Sequence, residues 1–70
     1  MTQHHFKLRS DFIELHALLK VLAFAHSGGA AKSLIAAGEV FVDGQVETRK
    51  ACKIRTGQVV HLGDEEIVVA

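Results

Sequence analysis

The chain is short of several things at once, and each shortage removes a class of function. Cysteine occurs once, as Cys52, so no disulfide can form within the chain. A secreted domain this small would ordinarily carry several. Cys52 reads as a small buried apolar side chain, because nothing at a useful spacing would activate its thiol. Proline is absent, and there is no repeat or low-complexity stretch, so residues 1–70 form one domain without a linker. No apolar run approaches the ~20 residues that cross a bilayer. The start of the chain has no signal-peptide core. These two absences favour a cytoplasmic protein with no membrane partner. Net charge is zero, from eight Lys and Arg against eight Asp and Glu, which argues against a uniformly basic nucleic-acid binder.

Catalytic and metal-binding groupings are missing too. His4, His5, His16, His26 and His61 are scattered and have one cysteine to join them, so no metal site or cofactor is expected. His4 and His5 read as a mobile terminus. Asp11 and Glu14 read as a helix-capping pair, and Asp64-Glu65-Glu66 as an exposed turn. No pair remains for acid–base chemistry, and 70 residues offer little material for a closed pocket. The chain is therefore not expected to be an enzyme.

What is present is a well-patterned small domain. Apolar residues make up 49% of the chain, ample for one core. A chain of this length buries ~60% of its unfolded surface, and its stability should be on the order of 4–10 kcal/mol. Phe6-Lys7-Leu8 reads as a short strand alternating apolar and basic residues. Phe12, Leu15, Leu19 and Leu22 predict one face of a first helix opened by Asp11. Ser27 caps a second helix, and Gly38 stops it. Val40 and Val42 alternate toward Asp43-Gly44, a two-residue hairpin turn, and Gln45 to Thr48 returns. Ala51 to Arg55, Gln58 to Leu62 and Ile67 to Ala70 complete an antiparallel sheet, the last strand beside the Phe6 segment. The fold class is α+β, two helices on a small antiparallel sheet.

Charge is unevenly spread. Arg49, Lys50, Lys53 and Arg55 carry four positive charges with no acid among them. Such a segment suits phosphates, and local potential rather than total charge governs encounter with a polyanion. Lys20 and Lys32 extend the patch if the helices pack beside it. Ser27-Gly28-Gly29 opens the second helix, where free amides and small residues let an anion approach. It is not a nucleotide-binding P-loop, whose spacing and lysine-threonine ending are missing.

The residues also resemble a known family, the RNA-binding domain named after ribosomal small-subunit protein four, or αL motif. Leu34-Ile35-Ala36-Ala37-Gly38-Glu39-Val40-Phe41-Val42-Asp43-Gly44 carries the resemblance nearly position for position. Ser27 to Ala31 and Ile54 to Leu62 flank it, so it spans about Phe12 to Leu62. Ser27-Gly28 and Val46 to Ile54 look like the small stand-alone bacterial members of the YbcJ type. The resemblance implies an RNA-binding surface built from the second helix and the hairpin-loop region. In larger relatives the domain delivers RNA to pseudouridine synthases and tyrosyl-tRNA synthetases. Departures are Gly28 where the family has arginine, Asp43 for asparagine, and Gly57-Gln58 for Gly-Asp.

The reading is therefore a small, monomeric, translation-related protein that grips structured RNA, such as rRNA or tRNA. Lys20, Ser27, Gly28, Gly29, Lys32, Arg49, Lys50, Lys53 and Arg55 form the contact surface. Only Phe41 is placed to stack on a base, and it reads as sheet packing, so single-stranded RNA is disfavoured. Four phosphate contacts would lower affinity ~50-fold between ~50 and ~200 mM salt. The competing reading is a protein-interaction module for an acidic or ribosome-associated partner. A ubiquitin-like sulfur carrier is disfavoured because Val68-Val69-Ala70 stands where such proteins have Gly-Gly.

Overall fold

In the computed structural model, which describes residues 2–70, nine elements follow one another. They are β1 (Thr2–Phe6), β2 (Ile13–Glu14), α1 (Leu15–Val21), α2 (Gly28–Ala36), β3 (Val40–Val42), β4 (Gln45–Val46), β5 (Lys53–Ile54), β6 (Val59–Leu62) and β7 (Glu65–Val69). Five strands form the main sheet in the order β1-β7-β6-β3-β4. Strands β2 and β5 stand apart as a two-stranded ribbon. Alternation turns Val40, Val60, Ile67 and Val69 toward the core, where Leu15, Leu18, Leu19, Ala31 and Ile35 of the helices meet them. Ile54 joins that core from the ribbon and has no exposed surface.

Local signals set several boundaries. The Ser27 side chain accepts from the Ala30 amide at 3.1 Å and opens α2. Gly38, at φ 77°, ends it with paired bonds from Gly38 N to Ile35 O and from Glu39 N to Leu34 O. The glycine's left-handed conformation lets both bonds form and satisfies two of the helix's last carbonyls. Asp43 and Gly44 both take positive φ, 51° and 84°, as the two-residue turn between β3 and β4 requires.

Four expectations need correction. The first helix starts at Leu15 and not after Asp11, because Ile13 and Glu14 are drawn into antiparallel pairing with Ile54 and Lys53. Carbonyls replace the capping box: the Leu15 amide donates to Cys52 O and the His16 amide to Lys50 O. Strand β1 takes in His4 and His5 and runs parallel to β7, so the sheet is antiparallel except at that edge. Glu65 and Glu66 lie in β7 rather than in a turn, Glu65 pairing with His4 at 2.8 Å and Glu66 with His61 at 3.0 Å. A Gln3 hydrogen bond, with His61 beside it, holds the Glu66 carboxyl below its usual range. Finally, Ala51 to Arg55 contributes only Lys53–Ile54 as strand, and to the ribbon rather than the sheet.

Candidate nucleic-acid interface

The ribbon organises the basic segment. Ile54 is driven inward as an apolar side chain, and the period of two then sends Lys53 and Arg55 outward. Both are exposed. Antiparallel register brings Phe12, the residue before β2, alongside them. Lys53 Nζ lies 5.1 Å from the Phe12 ring centroid and Arg55 Cζ 5.6 Å from it. A ring face attracts cations at this range, by about 0.5–1 kcal/mol for exposed groups. Arg55 Nη1 also donates to the Asp11 carbonyl at 3.5 Å. Among the described residues neither cation is within ion-pair reach of a carboxylate.

Arg49 behaves differently. Its Nε and Nη2 donate to the two oxygens of Glu47 at 3.0 and 3.1 Å, and its backbone amide donates to the same carboxylate. The acid stands two residues before Arg49, just outside the segment that reads as free of acids. Those bonds hold the Glu47 carboxyl at about 2, and Glu47 in turn raises the guanidinium. Burial, with Glu47 nearby, pushes the Cys52 thiol up, consistent with an unreactive side chain.

The Glu47 carboxyl is held below its unfolded value of ~4.3. Its contribution to stability is therefore complete above that pH and is lost as pH falls toward about 2. Arg49 is exposed and water screens the pair, so the loss should be small. Urea unfolding at neutral pH and near pH 2 should show a correspondingly smaller acid loss in Glu47→Gln than in the natural chain.

The remaining candidate residues divide by position. Lys50 is exposed in the loop whose carbonyls cap the start of α1. Lys20 occupies the last turn of that seven-residue helix, ~10 Å along its axis. Ser27, Gly28 and Gly29 open α2 beyond the turn that leaves this far end, and Lys32 is exposed one turn further on. A Cβ at Gly28 would meet nothing within 4 Å, so packing does not demand glycine there. Among the described residues no hydrogen bond or ion pair ties the helix group to the loop group. Phe41 packs only sideways, cross-strand from Val46 and His61, and remains 40% exposed on the sheet's outer side.

Phe12 is the residue of this candidate site that the sequence pattern misplaced, on a helix face, whereas it precedes β2 and meets Lys53 and Arg55. Its signal was the apolar pair Phe12-Ile13 preceding the amphipathic run.

The family model for the S4 domain matches residues 6–70, nearly the whole chain. The chain belongs to the S4 domain family. Its S4 relatives include the "Putative RNA-binding protein YbcJ" of Escherichia coli (strain K12) and the "Uncharacterized protein YbcJ" of Shigella flexneri. Each is 49% identical over 57 residues, covering 81% of both chains. The solution structure of E. coli YbcJ, described as revealing an αL motif involved in RNA binding, superposes with a TM-score of 0.75. It is 42% identical in that comparison, covering all of this chain and 90% of the other. S4 membership agrees with the expectation of a binding domain rather than an enzyme. Among the described residues no group of three or more His, Cys, Asp or Glu could hold a metal ion. No described helix of the S4 chain is long and apolar enough to cross a membrane.

Proposed function

We propose that this S4 domain binds structured RNA as a monomer, through phosphates gripped by Lys53 and Arg55, with Lys50 beside them. The observation that carries this reading is the pair of unneutralised cations aligned on the Phe12 ring. A ring that already restrains both side chains lowers the ordering cost of contact. Arg49 contributes through Nη1, which Glu47 leaves free, but the ion pair adds no net charge. Lys20, Lys32 and the Ser27-Gly28-Gly29 amides form a second, separate contact from the helix side. The RNA-binding description of the E. coli relative supports the ligand class, and rRNA and tRNA are its structured candidates. Few exposed aromatics favour recognition of backbone and shape over base stacking.

Salt dependence tests the mechanism. With Arg49 offset, three net contacts at a slope of ~0.7 each predict a loss of about 20-fold or more between ~50 and ~200 mM salt. Fluorescence anisotropy with a labelled stem-loop RNA measures it. Affinity that is flat across that range would exclude phosphate contact. An acidic protein partner would instead leave the stem-loop RNA unbound at low salt.

A further inference from the structure

Half of the chain's eight Lys and Arg lie against Phe12 or line the groove it borders, and two of them come from a segment far from the basic loop. A groove beside that ring has a floor of Phe6, Leu8, Phe12 and Ile13, and Lys7 and Arg9 are on its rim. Both rim residues are exposed. Among the described residues neither is within ion-pair reach of a carboxylate. The groove wall is fixed rather than loose. Ala70 N donates to Phe6 O at 2.8 Å and Leu8 N to Ala70 O at 2.7 Å, bracketing Lys7. At the other end the Ser10 hydroxyl donates to Phe12 O at 2.9 Å, and Arg55 reaches the Asp11 carbonyl.

We infer that Lys7 and Arg9 continue the phosphate-binding surface across Phe12, so that an RNA backbone crosses the ribbon and enters this groove. The inference rests on the RNA-binding reading above and extends it to residues outside the basic loop. Four cations against two acids, Asp11 and the Glu14 that faces Lys53 across the ribbon, leave the strip a local positive field that the zero net charge conceals. An apolar floor with low polarisability keeps that field from being screened from below. The bracketing hydrogen bonds hold the Lys7 backbone in place. The ligand read this way is the sugar-phosphate backbone, independent of base identity.

The experiment compares the natural chain, K7A/R9A and K53A/R55A in binding a fluorescein-labelled stem-loop RNA of about 20 nucleotides across a salt series. K7A/R9A should bind about 10-fold more weakly near 100 mM salt, and its log–log salt slope should be shallower by ~1.4. Its thermal unfolding should be nearly unchanged, because both side chains are exposed. Natural affinity and slope in K7A/R9A, with binding lost in K53A/R55A, would overturn this inference and leave the broader reading standing. Natural binding in both variants would overturn both.

Discussion

Reversing Lys53 and Arg55 together, as K53E/R55E, should weaken binding of a stem-loop RNA by about 100- to 1,000-fold at ~100 mM salt. Two attractions are lost and two repulsions gained, each ~1 kcal/mol for charges ~4 Å apart near water. A sum of 3–4 kcal/mol converts to that range. The fold should survive, because both side chains are exposed and the buried residue between them is untouched. The side-chain interactions lost are the cation–π contacts with Phe12 and the long hydrogen bond from Arg55 to the Asp11 carbonyl, so unfolding should shift by roughly 1–2 kcal/mol at most. Anisotropy titration and circular dichroism on the same sample separate the two effects. A variant that melts normally and binds at natural strength would remove the ribbon from the interface.

The second large effect concerns the residue between those cations. Ile54→Ala should destabilise the domain by about 2–5 kcal/mol. Ile54 is fully buried and belongs to the same cluster as Leu15, Leu18 and Leu19. It is also the ribbon's main anchor in the core, since its partner Ile13 is only partly buried. Against a total on the order of 4–10 kcal/mol, the loss approaches half the stability. The thermal midpoint should fall on the order of 20 °C. RNA binding should fail over the same temperature range as the fold, because Lys53 and Arg55 take their direction from the buried side chain between them. Differential scanning calorimetry gives the first quantity and temperature-dependent anisotropy the second. A midpoint within a few degrees of the natural one would show that the ribbon does not depend on this anchor.

Much of the fold is written in short stretches of the sequence. Ser27, Gly38 and Asp43-Gly44 act on their own neighbours, through one hydrogen bond or one sign of φ, and each does what its residue type requires. The apolar positions Leu15, Leu19, Val40 and Val60 are likewise legible from periodicity alone. The start of α1 was not. Asp11 and Glu14 form a plausible local cap, yet the pairing of Ile13 with Ile54 overrides it from 41 positions away. Two-residue strands leave almost no alternation to read, so β2 and β5 become visible only when the helices bring them together. The same cause hid Phe12. Its contact with Lys53 and Arg55 is a consequence of ribbon register.

The site was legible as composition and less so as geometry. Four cations within Arg49 to Arg55 mark a basic segment, but the segment's edges were drawn by sequence order. Glu47 stands two positions before Arg49 and takes up its guanidinium. Lys7 and Arg9 stand about forty residues before the basic segment and line the groove bordered by the Phe12 that Lys53 and Arg55 contact. Charge counts along the chain register neither fact, because both depend on which backbone segments are paired. The uneven charge on the surface is produced by folding, from a sequence whose total is zero.

The most direct measurement is an amide-resolved NMR titration of the isotopically labelled protein with the stem-loop RNA. The account predicts the largest and earliest shift changes at the amides of Lys7 to Ile13 and Lys50 to Arg55, reversed by added salt. Changes confined to the outer sheet face, around Phe41, Val46 and His61, would place the RNA on the sheet rather than on the ribbon and its groove and contradict it.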